Sequence, residues 1–314
     1  MRDKNATEVL EGDAAGIARA ARILDAGGLV AVPTETVYGL AARADDPVAV
    51  AAIYTAKGRP GFNPLIVHVA DLAAADLLVD MDERAHRLAA AFWPGPLTMV
   101  LPMRRDARLA GAVSAGLATL AVRMPAHPVM RALLAEVDAP LAAPSANVSE
   151  SVSPTSSDHV LATLDGRIAA LLDGGRCEAG LESTIVALRT TGTWSLLRPG
   201  PIGELSLAAI LGEANREEPR GIEAPGQMER HYSPGKPVRL QATHATEHEY
   251  HLGFGTVGGD WSLSESGDLV EAAARLYAGL HRAAADARPA VAVAPIPAEG
   301  LGLAINDRLR RAAA

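Results

Sequence analysis

Two hydroxyls bracket a carboxylate in Thr34-Glu35-Thr36-Val37-Tyr38-Gly39-Leu40, directly after a small apolar run at 29–32 and the strand-stopping Pro33. Such a set can cap a helix, close a turn or hold a small ligand. Further on, Lys57 and Arg59 stand among Gly58, Gly61 and Asn63-Pro64, just before a second apolar run at 65–69. Two cations there could simply complement the C-terminal end of a helix. Cations with flexible glycines and an amide also suit an oxyanion or a triphosphate. His68 alternates with Ile66 inside that apolar run, as a satisfied core residue or as a ligand. Arg123 ends the run Thr119-Leu-Ala-Val-Arg, where it can reach solvent or grip a carboxylate with two parallel hydrogen bonds. Ser145 and Asn147 after Ala143, and Ser153 and Thr155 around Pro154, offer either turn and capping chemistry or a phosphate cradle. Ser183 in Leu-Glu-Ser-Thr and Arg198 in Leu-Arg-Pro-Gly again put a hydroxyl and an arginine at a strand end. Active sites are commonly built at strand ends. The sequence holds no Walker lysine motif, no HExxH and no GxSxG. The set fits an enzyme that positions two small charged substrates without a covalent nucleophile.

Three other features read as bland. Gly253-Phe-Gly-Thr-Val-Gly258 matches GxGxxG, but Gly259-Asp-Trp-Ser follows where a dinucleotide site needs a helix to open, so it reads as a glycine-rich turn. His244, Glu247, His248, Glu249 and His251 have some metal-ligand spacing but lie in a polar stretch and read as a solvated surface segment. Cys177, the single cysteine, reads as a buried structural residue.

The polar residues are hung on alternating helix and strand signals. Asp13 can cap a helix carrying Ile17, Ala21 and Leu24 that stops at Gly27-Gly28. Asp46-Pro47 starts another, ending at Gly58. Helices are also expected at 82–92, at 128–137 and after Ser153-Pro154-Thr155. Strands are expected at 29–32, 65–69, 97–101, 117–123, 141–143 and 168–172, with a hairpin at 183–188 and 193–197. This mixture predicts an α/β domain with a mixed sheet over 1–212. Residues 213–237 carry prolines, glycines and charges without an apolar period and read as a linker, in which His231-Tyr232 is a large pair to leave idle. A small α/β unit follows over 238–314, with strands at 238–240, 250–254 and 290–294 and helices at 268–284 and 303–312.

The 314 residues are 49% hydrophobic, enough for two domains with an ample core and no disulfide. The formal charge of −8 and 4% aromatic content oppose a protein that grips nucleic acid through its backbone or stacks bases. No apolar N-terminal segment reads as a signal peptide, and no apolar run is long enough to span a bilayer. A soluble, cytoplasmic protein without a membrane partner is expected.

These stretches resemble the YrdC-like family of L-threonylcarbamoyladenylate synthases. GGLVAVPTETVYGL, KGRPGFNPLIVHV, FWPGPLTMVL, AVRMPAHP, APSANVSESVSPT, LDGG, ESTIV and LRPG occur in that family's order. APGQMERHYSPGKP and GLGLAINDRLRRAA resemble its longer, two-domain form; residues 238–298 match it loosely. The resemblance implies a twisted YrdC-like α/β sheet around a deep cavity, plus a small Rossmann-like C-terminal domain. It implies that L-threonine, bicarbonate or CO2, and ATP become L-threonylcarbamoyl-AMP and pyrophosphate. The product would pass to a partner complex that modifies the adenosine next to the anticodon in tRNAs reading ANN codons, with weak or no direct tRNA binding by this chain.

The same resemblance assigns Arg123 to the threonine carboxylate, with Thr36, His68, Ser183 and the Ala143 backbone completing the amino-acid pocket. Lys57, Arg59 and Arg198 would neutralise phosphate. Asn63, Thr119, Ser145, Asn147 and Ser153 would orient the nucleotide, and Tyr232 would fold over it. Residues 34–40 become the lip of the amino-acid pocket. Mg2+ is expected with ATP, held mostly by phosphates and water. The alternative is a non-catalytic module of the same fold that binds nucleotides or double-stranded RNA.

Overall fold

Among the described residues, ten strands build one mixed sheet: β1 (Glu8–Glu11), β2 (Val30–Val32), β3 (Gly39–Arg43), β4 (Ile66–His68), β5 (Leu97–Pro102), β6 (Thr119–Arg123), β7 (Leu141–Ala142), β8 (Ala170–Asp173), β9 (Thr184–Leu188) and β10 (Trp194–Arg198). The chain is seen in a computed structural model that describes residues 6–219, 221, 223–227 and 231–314. Residues 1–5 of the N-terminal stretch, and residues 220, 222 and 228–230 of the expected linker, lie outside the described residues.

The strands lie in the order β1-β8-β2-β3-β7-β4-β6-β5-β9-β10. Parallel pairs (β1 with β8, β4 with β6, β5 with β9) alternate with antiparallel ones (β2 with β3, β5 with β6, β9 with β10), so the sheet is mixed, as the sequence predicts. The register matters for the site. His68 and Arg123, the last residues of β4 and β6, are direct partners across that parallel pair.

The helices start where their sequences dictate. Asp13 caps α1 (Ala14–Asp25), its carboxylate accepting from the Gly16 N–H. Asp46 caps α2 (Pro47–Lys57), whose proline fills the first helical position, and Gly58 closes it in the left-handed conformation. That cap holds Lys57 and Arg59 at one end of the sheet. α3 (Leu72–Asp76), α4 (Glu83–Phe92), α5 (Pro128–Val137), α6 (Ser157–Leu164) and α7 (Glu204–Leu211) complete the layer. The main core includes Leu40, Ile53, Leu65, Leu97 and Trp194, all fully or almost fully buried.

Several elements escape the pattern reading, β1, β3, α3 and α7 among them. β1 is an edge strand with alternating burial that pairs with β8 alone. β3 is rich in alanine, and pairing with β2 and β7 overrides that helical preference. α7 is short and follows directly on the Arg198-Pro-Gly turn.

A second sheet, four strands among the described residues, contains β11 (Val238–Arg239), β12 (Glu249–Gly253), β13 (Trp261–Ser262) and β14 (Ala290–Val293) in the order β11-β14-β12-β13. Its pairs are parallel, and α8 (Leu269–Ala285) and α9 (Gly302–Ala312) flank it. Parallel strands need crossovers, which makes this unit α/β. The Gly253–Gly258 stretch is a turn closed between Phe254 and Val257, and α8 begins only at Leu269. His244, Glu247 and His248 are exposed and outside any helix. Glu249 and His251 correct the surface reading: both are buried in β12. Arg239 donates to both Glu249 oxygens at 2.7 Å, and His251 Nε2 lies 3.1 Å from the Ala242 carbonyl. Among the described residues no three metal-ligating side chains converge, and no helix is long and apolar enough to cross a membrane.

Candidate active site

At the joined ends of β4 and β6 the sheet opens into a hollow of ≈ 530 Å³. It is lined by Thr36, His68, Arg123, Ala143, Ser145, Ser183, Arg198 and Tyr232, together with Arg59. A second hollow of ≈ 330 Å³ is lined by Lys57, Asn63 and Asn147 and shares Arg59, Ser145 and His231 with the first. The two are therefore compartments of one cleft. All five residues expected at the amino-acid end line the first compartment. The residues expected around the nucleotide are divided between the two, with two exceptions. Thr119 is half-buried at the far end of β6 from Arg123, and Ser153 is buried behind the wall; neither lines either compartment.

The Thr34–Leu40 segment splits its work. The Thr34 hydroxyl donates to the Val37 carbonyl at 2.6 Å and accepts from the N–H groups of Thr36 and Val37, so Thr34 builds the turn. Its one proton being spent, it must accept from Thr36 Oγ1 at 2.8 Å. Thr36 in turn accepts from Arg123 Nη1 at 2.9 Å. Gly39 matters for space and not for a left-handed turn: a Cβ there would sit 3.2 Å from the Ala143 Cβ.

Arg123 is held on three sides. Nε donates to the Gly95 carbonyl at 3.2 Å, Nη1 to Thr36, and Nη2 to Glu35 Oε1 at 2.5 Å. The other Glu35 oxygen accepts the Ala126 N–H at 3.1 Å. Burial alone would raise the Glu35 pKa, but the Arg123 charge together with the hydrogen bonds from Arg123 and Ala126 outweighs it and holds the carboxylate below its ordinary range. Three of the five guanidinium N–H groups are thus used among the described residues, which fixes the plane and leaves two for an incoming carboxylate. Next to it His68 is pushed down to about 3 by burial and by Arg123, so it is neutral at pH 7. Its Nδ1 is buried without a partner among the described residues. The Ala143 N–H is spent on the Ile66 carbonyl.

The far compartment is cationic. Lys57 is 1% exposed, and its Nζ donates to the carbonyls of Ser145 and Asn147, each at 2.5 Å. Burial, then Arg59, lowers its pKa well below the ordinary value. Arg59 donates to the Asn63 and Pro64 carbonyls at 3.2 and 2.8 Å. Burial, with Arg198 nearby, brings it down to about 10, so it stays charged. The Asn147 side chain donates to Ser151, while its Oδ1 is buried without a partner among the described residues. Buried polar atoms without partners are uncommon, and two of them facing one cleft mark places for ligand or water. In the first compartment Arg198 donates to the Ser183 carbonyl and hydroxyl, both at 3.0 Å, and that hydroxyl lies 2.7 Å from Thr98 Oγ1.

Tyr232 covers the cleft with Pro225, Gly226 and His231. Its backbone is left-handed, with φ +66, and the side chain is 1% exposed. The ring stacks on Tyr277 of α8, centroids 5.6 Å apart, and Arg308 of α9 lies over it at 5.4 Å. Burial also pushes His231 down to about 3. Cys177 is buried, with its thiol pushed up to about 12 by burial, and serves no nucleophilic role.

Sequence reasoning missed Glu35, Glu182 and Arg308, and marked His231 only as a conspicuous neighbour of Tyr232 without giving it a role. Glu35 and Glu182 sit within stretches singled out for their hydroxyls, and a carboxylate between hydroxyls was the available signal. Arg308 gave none, because its partner is 126 positions away.

A mixed α/β sheet carries a cleft that fixes an arginine at one end and clusters cations at the other, with no activated nucleophile among the described residues. Comparison with known proteins narrows the class. Residues 22–200 match the Sua5/YciO/YrdC family model, described as telomere recombination, and residues 202–314 match the C-terminal domain of threonylcarbamoyl-AMP synthase. A Bacillus subtilis threonylcarbamoyl-AMP synthase is 40% identical, over 95% of this chain and 92% of its own length. A Pyrococcus abyssi threonylcarbamoyl-AMP synthase is 38% identical, over 93% and 92%. The crystal structure of P. abyssi Sua5 complexed with L-threonine superposes with a TM-score of 0.89, at 34% identity and 98% coverage of both chains. The chain belongs to the Sua5/YciO/YrdC family, in its two-domain threonylcarbamoyl-AMP synthase branch.

Proposed function

We propose that this enzyme joins L-threonine, bicarbonate or CO2, and ATP into L-threonylcarbamoyl-AMP with release of pyrophosphate. The observation that carries this reading is the single cleft running from Arg123, Thr36 and His68 to Arg59, Lys57 and Asn147, with Arg59, Ser145 and His231 shared by its two halves. The threonine carboxylate takes the two remaining Arg123 N–H groups. Neutral His68 offers a nitrogen to the ammonium or hydroxyl. The threonine ammonium gives a proton to water, the free amine attacks the carbon of CO2, and a second nitrogen proton passes to water to leave a carbamate. A carbamate oxygen then attacks the α-phosphorus, and the bond to the pyrophosphate oxygen breaks. Both steps need alignment and charge screening, which a fixed arginine and a cationic far end supply. Ser145 and Asn147 orient the nucleotide, Arg59 and Arg198 face phosphate oxygens, and Lys57 shapes the loop that carries Asn147. Ser153 acts from behind this wall, while Thr119, at the far end of β6, takes no part. Tyr232 excludes water from the acyl-phosphate product.

Mg2+ supplies charge screening of the triphosphate. With no cluster of metal-ligating side chains among the described residues, phosphate and water oxygens suit it best. The product is handed to a tRNA threonylcarbamoyl-transfer complex acting on tRNAs that read ANN codons. Direct tRNA binding by this acidic chain is weak or absent, and its location is cytoplasmic. The test is pyrophosphate release from ATP, expected only when both L-threonine and bicarbonate are present. Release without threonine, or none with all three substrates, overturns the reading.

A further inference from the structure

Glu182 stands next to Ser183 in the wall of the first compartment, yet its carboxylate is turned into the joint between the two domains. Oε1 accepts from the Ser153 hydroxyl at 2.5 Å. Oε2 accepts from the Tyr277 hydroxyl of α8 and from Arg308 Nε of α9, both at 2.8 Å. Arg308 is fully buried, and its Nη2 donates to the Pro199 carbonyl at 3.0 Å, directly after Arg198. One side chain from the second domain thus ties together the two segments that carry Ser183 and Arg198. Arg198 itself bonds only to Ser183, a neutral residue, and has no ion-pair partner among the described residues. The charges of Glu182 and Arg198 act on each other without a hydrogen bond between them.

We infer that Arg308 is a positioning residue for the nucleotide end of the cleft: it holds the Glu182 carboxylate away from Arg198, so that Arg198 remains free to meet a phosphate oxygen. This rests on the proposed function. A buried carboxylate stripped of its partner is costly and takes the nearest remaining cation. Here that cation is Arg198, and its capture by Glu182 would spend the charge meant for ATP and drag Ser183 with it. Docking of the second domain is therefore part of building the substrate site. The Asp307 carboxylate on Arg308 Nη1, at 2.8 Å, offsets part of the guanidinium charge, which still acts on Arg198.

The test measures ATP and L-threonine binding separately by calorimetry on the full chain. In Arg308→Gln the ATP Kd is expected to rise tenfold or more, and by at least three times the change for threonine. Glu182→Gln added to Arg308→Gln removes the uncompensated carboxylate and is expected to recover most of the ATP affinity, which a merely structural role would not produce. Unchanged ATP affinity in Arg308→Gln, or a loss that Glu182→Gln does not recover, overturns the inference. Should Arg308→Gln fail to fold, Arg308→Lys carries the test, because lysine keeps the charge but cannot span Glu182 and Pro199. A threefold loss for ATP, relieved by Glu182→Gln, is then expected, and no loss overturns it. Failure of the unaltered chain to bind ATP overturns the proposed function instead, which separates the two readings.

Discussion

Glu35 and Arg123 form a buried ion pair inside the cleft, Nη2 to Oε1 at 2.5 Å, with side chains 12% and 4% exposed. The carboxylate does not compete for the whole guanidinium. It fixes the guanidinium plane, together with Thr36 and the Gly95 carbonyl, and leaves one N–H on each terminal nitrogen unspent among the described residues. Glu35→Gln keeps the shape and removes the charge. Charged hydrogen bonds of this kind are worth about 1.5–3 kcal/mol, so the threonine KM should rise on the order of tenfold or more by that principle. The ATP KM should change far less. Threonine saturation curves at fixed ATP check this; a shift confined to ATP would contradict it. Arg123→Ala should show the same selectivity more strongly.

Lys57 and Arg59 should both matter for ATP, but by different routes. Lys57 Nζ spends two of its donors on the Ser145 and Asn147 carbonyls. Lys57→Met leaves both carbonyls without their donor at a cost of about 1–3 kcal/mol each. It should therefore lower the Tm as well as raise the ATP KM. Arg59 also holds backbone carbonyls, but both lie within five residues on its own loop. Arg59→Ala should mainly weaken ATP use, with a smaller change in Tm. Thermal melts beside ATP kinetics test the contrast, and equal ATP kinetics for both variants and the unaltered enzyme would remove these two residues from the nucleotide site.

Tyr232 is placed by the second domain, through the Tyr277 ring and Arg308. Replacing a buried aromatic with alanine typically costs about 3–5 kcal/mol. Tyr232→Ala should therefore destabilise the joint and let water reach the acyl-phosphate. The informative readout is the ratio of L-threonylcarbamoyl-AMP to pyrophosphate, which should fall because product is hydrolysed after it forms. A ratio equal to that of the unaltered enzyme would show that the ring does not shield the product. Deleting the chain from Glu213 onward removes Tyr232, Tyr277 and Arg308 together, and should abolish net synthesis.

What the sequence revealed were features whose cause is local. Asp46-Pro47 and Gly58 delimit α2 because capping acts within four residues, and that alone puts Lys57 and Arg59 at a helix end. Arg123, His68 and Ser183 were legible as polar residues at apolar strand ends. Their meeting depends on the β4–β6 register and on the β5–β9 pairing, which no local signal states. The inward carboxylates were harder. Glu35 and Glu182 look like ordinary turn residues until Arg123 and Arg308 arrive from 88 and 126 positions away. The Glu249–Arg239 pair misled in the opposite direction, since a polar string beside a linker reads as surface until β12 buries it.

Acid should unfold this protein in two stages. His68, His159 and His231 are held near 3, and His281 near 4, chiefly by burial; His159 and His281 also stack at 3.8 Å across α6 and α8. Below about pH 6.5 the unfolded chain binds protons on these rings and the folded chain does not, so stability falls as pH drops through the range from about 6.5 to about 3. Glu182 acts later. Burial raises its pKa, but Arg308 and Arg198 overcome that and hold it at about 2. Its contribution is intact above the ordinary carboxylate value near 4.5 and is lost as pH falls from there toward 2. The Tm should therefore start to fall just below pH 6.5 and drop again below about 4.5. Replacing His159 and His281 by glutamine should shrink the first stage without removing it, since His68 and His231 still contribute, and should leave the second. A Tm constant from pH 8 to pH 4.5 would show that the buried imidazoles take up protons in place, and that the contact between α6 and α8 tolerates their charge.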